Sequence, residues 1–271
     1  MLKKSIFLFI VLFYSWQRSI AQTSVPIVMN AFKSGEVLNY KVTYNWGVIW
    51  LDAGSATFSI QQRAYKGKPS YYFTGVGSTF PNYDWIYKVR DKFESYADTS
   101  NLKPLRFTRD QREGSTFIYE SALFNFIRKK AYDVVRIGEK TKLDSVKITE
   151  PTIDVMTAIN WARCIDFSKY KVNDTIPITL YLENKIYPVY IRYVGKEDHT
   201  VEGVGTFHCI KFRPKLIAGT IFKGGEGMTV WVTDDKNKIV VYVETPIVVG
   251  TIKVSITSYS GLRNPLTSKV K

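Results

Sequence analysis

Leu38-Asn39-Tyr40-Lys41-Val42-Thr43-Tyr44-Asn45-Trp46 alternates without a break, with Leu38, Tyr40, Val42, Tyr44 and Trp46 on one side and polar residues on the other. Successive strand side chains point to opposite faces, so this stretch predicts a half-buried antiparallel strand. The C-terminus repeats the pattern, with Ile252, Val254 and Ile256 facing one way and Thr251, Lys253, Ser255 and Thr257 the other. Similar strands are expected at about 53–62, 69–77, 89–98, 103–112, 115–124, 130–137, 176–183, 186–194, 206–213, 228–233 and 238–248. Turn formers separate them, such as Lys66-Gly67-Lys68-Pro69 and Arg112-Glu113-Gly114.

One segment breaks the period. Glu150-Pro151-Thr152 leads into Ile153–Arg163, where apolar residues fall on both sides of a helical wheel. This predicts a buried helix at 152–163, capped by Thr152, with Asp154 and Arg163 suiting the two ends of its dipole. It divides the strands into groups at about 32–147 and 172–262. The expected fold is mainly β: a curved antiparallel sheet or partly open barrel in two strand groups, joined by that helix, within a single domain at 22–271. A short helical turn is expected at 82–87. Asp98-Thr99-Ser100-Asn101 and Asp234-Asp235-Lys236-Asn237 look like matching turns, in which Asp and Asn bond the turn backbone. Asp154, Arg163, Trp231 and Asp234 are therefore assigned structural roles.

The composition agrees. Of 271 residues, 45% are hydrophobic and 23% charged, and 18 Tyr, 16 Phe and 6 Trp favour strands. Lys3-Lys4, the apolar run Ile6–Tyr14 and Ser19-Ile20-Ala21 read as a signal peptide at 1–21 cleaved after Ala21, which predicts a periplasmic chain that is not an integral membrane protein. The formal net charge of +14 then argues for solvation or for anionic envelope partners, and nucleic acid is not expected.

Two His and two Cys exclude a zinc ribbon or a disulfide scaffold. His199 and His208 lie in no catalytic signature, and His208 and Cys209, adjacent on a strand, point to opposite faces. Cys164 and Cys209 read either as a helix-to-sheet disulfide or as two buried thiols. No catalytic, metal-binding or cofactor-binding residue is assigned. Asp84, Asp91 and Glu94 are weak glycan-site candidates, being acids near aromatics. Leu216–Phe222 is apolar and runs into Lys223-Gly224-Gly225-Glu226-Gly227, which reads as an edge strand with a loose hairpin or as a lid over an apolar cleft. Ile217, Ile221, Phe222, Gly224, Gly225, Gly227 and Trp161 are the candidate cleft and lid residues.

Across roughly 30–262 the chain resembles domain-of-unknown-function family 3108 of bacterial exported proteins. The resemblance rests on Phe32-x-x-Gly35-Glu36-x-Leu38-x-Tyr40, Ala53-Gly54-x-Ala56, Trp85–Asp91, Asp154-x-x-Thr157-Ala158-x-x-x-x-Arg163, Gly205-x-Phe207-x-Cys209-x-Lys211-x-x-Pro214 and Val230-Trp231-Val232-x-Asp234. It departs at Asn160, where the family tends to carry an aromatic, and at Val240, where a proline is common. The resemblance implies a periplasmic, largely β protein and no activity.

The leading expectation is a non-catalytic binding protein for an apolar or lipid-like envelope ligand. The alternatives are an envelope assembly factor acting through protein contacts and, behind both, a glycan-acting enzyme.

Overall fold

The computed structural model describes residues 25–270 except 26, 47, 48 and 219–223, so the expected signal peptide lies outside the described residues. The first strands are β1 (Glu36–Trp46), β2 (Ile49–Tyr65), β3 (Lys68–Thr79), β4 (Val89–Asp98), β5 (Pro104–Glu113), β6 (Thr116–Asn125), β7 (Lys130–Ile137) and β8 (Lys140–Lys147). A short β9 (Thr152–Asp154) and the helix α1 (Val155–Arg163) follow. The second group is β10 (Thr175–Leu182), β11 (Lys185–Val201), β12 (Gly205–Pro214), β13 (Thr229–Thr233), β14 (Val240–Pro246) and β15 (Thr251–Ser260).

All fifteen described strands form one sheet, in the order β8-β7-β6-β5-β4-β3-β2-β1-β15-β14-β13-β12-β11-β10-β9. The two strand groups are therefore one surface. The weld is β1 against β15, where Tyr40 faces Ile256 and Val42 faces Val254. Every pairing is antiparallel except β9 with β10. The middle of the chain supplies both free edges, β8 and β9.

The sheet curls without closing into a barrel. Bulges at Asn39/Tyr40, Val42/Thr43, Tyr96/Ala97, Tyr193/Gly195 and Trp231/Val232 each add twist and bend. Curling brings β6 to β10, with the Phe124 and Tyr181 rings 5.1 Å apart in edge contact. The main core fills the inside of the curl: Phe73, Phe107 and Ala122 from one half, Ile176, Tyr181 and Ile191 from the other, and Met156 and Trp161 from α1 between them. A smaller cluster around Tyr40, Phe207, Trp231 and Ile256 is joined by Leu262 and Leu266 of the C-terminal segment.

The helix starts later than the sequence suggests. Thr152–Asp154 is extended and pairs with β10, and Asp154 is the cap, its carboxylate accepting the Thr157 N–H at 2.9 Å. A carboxylate three residues before that amide is the better-placed acceptor, and Thr152 instead accepts from the Thr149 N–H. Burial is also one-sided, since Met156, Thr157, Asn160, Trp161 and Arg163 are buried while Val155, Ala158, Ile159 and Ala162 are half-buried. The expected turn near 82–87 appears as a 3-10 turn at Pro81–Tyr83.

Candidate functional site

The polar residues of α1 anchor it to the sheet. Asp154, fully buried, also accepts from Ser95 Oγ on β4 at 2.7 Å and from Thr157 Oγ1 at 2.8 Å. At the other end Arg163 grips Glu36 of β1, Nη1 to Oε1 at 2.5 Å and Nη2 to Oε2 at 2.9 Å. Its Nε donates to the Asn237 carbonyl at 3.0 Å, and Asn160 Oδ1 accepts from Nη1 at 3.3 Å. Asn160 thus supports the buried ion pair.

These anchors put α1 in one half of the curl. Met156 lies against Gly75 of β3, where an added Cβ would stand 3.3 Å from its Sδ and Cε atoms. Arg163, one end of the helix further on, reaches Glu36 at the start of β1. The same inner face continues past Gly75 in the other direction, with no helix residue at Gly77, where an added Cβ would meet nothing within 4 Å. By register Gly77 opposes Ala56, which opposes Tyr40. Beyond them the face carries Val42, Tyr44, Ile252, Val254 and Val243, all half-buried. This half of the face is apolar and runs to the end of the molecule that α1 does not reach, whereas on the other side of Gly77 the same face carries Asp91 and Gln111.

Strand ends that neighbour one another in sheet order lie at that end: those joined by 80–88 between β3 and β4, those of β1 and β2, those joined by 247–250 between β14 and β15, and those of β12 and β13 with their described flanks at 215–218 and 224–228. Many of their exposed residues are apolar, beside the polar Asn82, Lys88 and Lys215. Trp85 is 82% exposed, and Ile86, Tyr87, Ile49, Trp50, Val248 and Val249 are exposed as well.

The expected lid lies here. Ile217 is half-buried and Gly224, Gly225 and Gly227 follow, whereas Ile221 and Phe222 lie outside the described residues. The described flanks are pinned, contrary to the expected loose tip. Leu216 and Gly225 exchange backbone hydrogen bonds at 2.7 and 3.1 Å. Glu226 accepts from Arg192 Nε at 2.8 Å and from Tyr190 Oη at 2.6 Å. These bonds hold its carboxyl down at about 2, so the glutamate within the glycine run acts as a staple. Trp161 is not brought to this loop; it is buried in the core on the last turn of α1, the turn held by Glu36.

A second feature, missed in the sequence, sits where β5–β7 meet β10. Arg109 bridges Glu120 at 2.9 Å and Glu183 at 2.8 Å, and Tyr181 Oη donates to Glu120 Oε1 at 3.3 Å. Asp133 is buried beside them, with neither oxygen in hydrogen-bonding geometry. Burial, with repulsion from Asp133, pushes Glu120 up to about 7, and burial raises Asp133 too. One buried cation faces two buried carboxylates. Each is a lone acid in a polar-out or apolar strand, and only the curl gathers them.

The remaining candidates fall into structural roles. His208 is exposed and bonds Asp198 at 2.5 Å, while Cys209 is buried on the opposite face. Cys164 and Cys209 are free thiols in separate clusters. Trp231 makes tilted ring contacts with His199 and Tyr242 and donates Nε1–H to Glu197 at 2.6 Å. Asp234 pairs with Lys196, but the turn itself is built by Asp235, which accepts from Asn237, Lys238 and Ser268. Asp235 is the acid that faces into this turn, one residue later than expected, while the Asn237 side chain bonds Asn264 and Pro265 rather than the turn backbone. Asp84 is bound to Arg90, and Glu94 to Tyr72, Lys92 and Thr108. Among the described residues no group of three or more His, Cys, Asp or Glu can hold a metal ion, and no helix is long and apolar enough to cross a membrane.

Among solved structures, a β-barrel-like protein of domain of unknown function DUF1849 from Brucella abortus matches with a TM-score of 0.56 at 10% identity, covering 83% of this chain and 96% of that one. At that identity the likeness is one of fold. No curated protein matches the chain. The family model described as "Protein of unknown function (DUF3108)" matches residues 39–257, from within β1 to within β15, and the chain belongs to that family.

Proposed function

We propose that the chain is an exported, non-catalytic binding protein that takes an apolar, lipid-like molecule against the unplugged half of its inner wall. The observation that carries this reading is the empty space at Gly77, beside an apolar wall that α1 leaves uncovered. Ligand sites are concave and mostly apolar, with a few polar groups at the margin. Here the margin is supplied by Tyr44, whose hydroxyl donates to the Val249 carbonyl, and by the stapled loop at 224–227. Export rests on the N-terminal pattern ending at Ala21, and an exported carrier would meet such a ligand in the envelope.

Gly77→Leu tests it. The substitution fills open space on an extended backbone, so the fold is expected to hold. Wild type is expected to bind a fluorescent fatty acid with micromolar affinity, and Gly77→Leu to weaken binding at least tenfold with an unchanged melting temperature. No binding by wild type, or equal binding by the variant, overturns the reading.

A further inference from the structure

The rim of the end that α1 does not reach has a composition of its own. Trp85, Ile86, Tyr87, Val248 and Val249 project from adjacent connections, and Ile49 and Trp50 from the first residues of β2 beside them. The connections at the opposite end are mainly polar, as at Lys66-Gly67, Asp98–Asn101, Glu202-Gly203 and Asp234–Asn237, with Ile127, Val172 and Val270 among the exposed apolar exceptions. Exposed apolar groups clustered at one end of a molecule mark a contact surface.

Charge identifies what covers it. Lys88, Arg213, Lys215 and Lys253 border the rim, and among the described residues none is in a direct ion pair, although Lys88 and Arg213 lie near enough to Asp84 and Glu226 to lower their carboxyls. Lys253 Nζ lies 3.9 Å over the Trp50 ring, and Lys215 Nζ 5.5 Å over Tyr190. Most nearby carboxylates are neutralised, Asp52 by Lys41, Asp84 by Arg90, Asp110 by Arg112 and Glu226 by Arg192, while Glu244 stands opposite Lys253 across the β14–β15 ladder and offsets part of its charge. Asp91 and Glu113 are set against each other, and their repulsion, after burial, raises Glu113. The surplus at the rim is positive. Trp and Tyr among aliphatic tips, edged by Lys and Arg, suit the headgroup zone of an anionic bilayer.

We propose that this end docks onto a bilayer carrying anionic phospholipid, with Trp85, Ile86 and the neighbouring tips in the headgroup zone and Lys88, Lys215 and Lys253 against phosphates. Docking would turn the open wall toward the lipid. The inference uses the same end of the molecule as the proposed function but does not require that a ligand be bound.

The experiment is co-sedimentation of the full mature chain with vesicles of phosphatidylcholine, alone or with 30% phosphatidylglycerol, alongside Trp85→Ser/Ile86→Ser and Lys88→Glu/Lys253→Glu. Wild type is expected to partition onto phosphatidylglycerol vesicles at least tenfold better than onto phosphatidylcholine. High salt should weaken that binding, and each double variant should lose it at least tenfold while melting like wild type. Equal binding by the variants, or no binding to anionic vesicles, overturns the proposal. So does concentration-dependent dimerisation abolished by Trp85→Ser/Ile86→Ser without vesicle binding, which would assign the rim to a second copy. Vesicle binding without fatty-acid binding leaves docking standing and removes the ligand reading; the converse removes docking alone.

Discussion

Arg163→Met removes the guanidinium that holds α1 to β1 and keeps much of its aliphatic stem. Glu36 is then left as a carboxylate at 1% exposure, with its partner gone from both oxygens. The Asn237 carbonyl and Asn160 Oδ1 lose donors as well. Removing one side of a buried pair costs about 3–5 kcal/mol, because the remaining charge keeps its desolvation penalty. That is a large share of a typical stability of roughly 5–15 kcal/mol, and the melting temperature should fall by on the order of 10 °C. Glu36→Leu/Arg163→Met removes both charges. It should recover at least about 2 kcal/mol relative to the sum of the single variants, short of full recovery because each orphaned carbonyl still costs about 1–3 kcal/mol. Urea unfolding followed by tryptophan fluorescence at pH 7 measures all four proteins. A single variant within 1 kcal/mol of wild type, or strictly additive losses, would refute the claim that this pair locks the helix in place.

Glu120→Gln should show a pH-dependent gain. A carboxyl raised to about 7 contributes its stability below the unfolded value near 4.5, and loses it as pH climbs through 7. The variant should therefore improve relative to wild type by on the order of 3 kcal/mol between pH 4.5 and pH 8, whatever its offset at low pH; an unchanged difference by chemical denaturation at the two pH values would show that Glu120 is not held in that environment. Cys164 and Cys209 are buried, and desolvation pushes their thiols up to about 11 and about 12. Neither should react with a thiol reagent in the native protein at pH 8, and both should react in denaturant; a bridged species in non-reducing mass spectrometry would contradict the separation of their two clusters.

Local periodicity made the strands and the helix readable, because alternation and turn residues act over a few positions. β4 and β7 run over the very residues expected, Val89–Asp98 and Lys130–Ile137. β8 escaped because Lys140–Lys147 is an exposed edge strand with almost no apolar face, and β9 because three residues carry no period. The structural roles of Asp154 and Arg163 were legible from the helix dipole, but their partners Ser95 and Glu36 lie 59 and 127 residues away. Nothing local encodes such a distance. The same limit governs the functional surfaces. Glycine and apolar residues at 216–227 drew notice as a run, whereas Trp85, Trp50 and Val249 are short tips in three separate turns. Only the β1–β15 weld and the curl of the sheet set those turns side by side. The same curl brings Arg109, Glu120, Asp133 and Tyr181 together. Local alternation determines which residues of a strand share a face; the long-range pairing decided which of them meet, because that choice depends on burying the whole sheet at once.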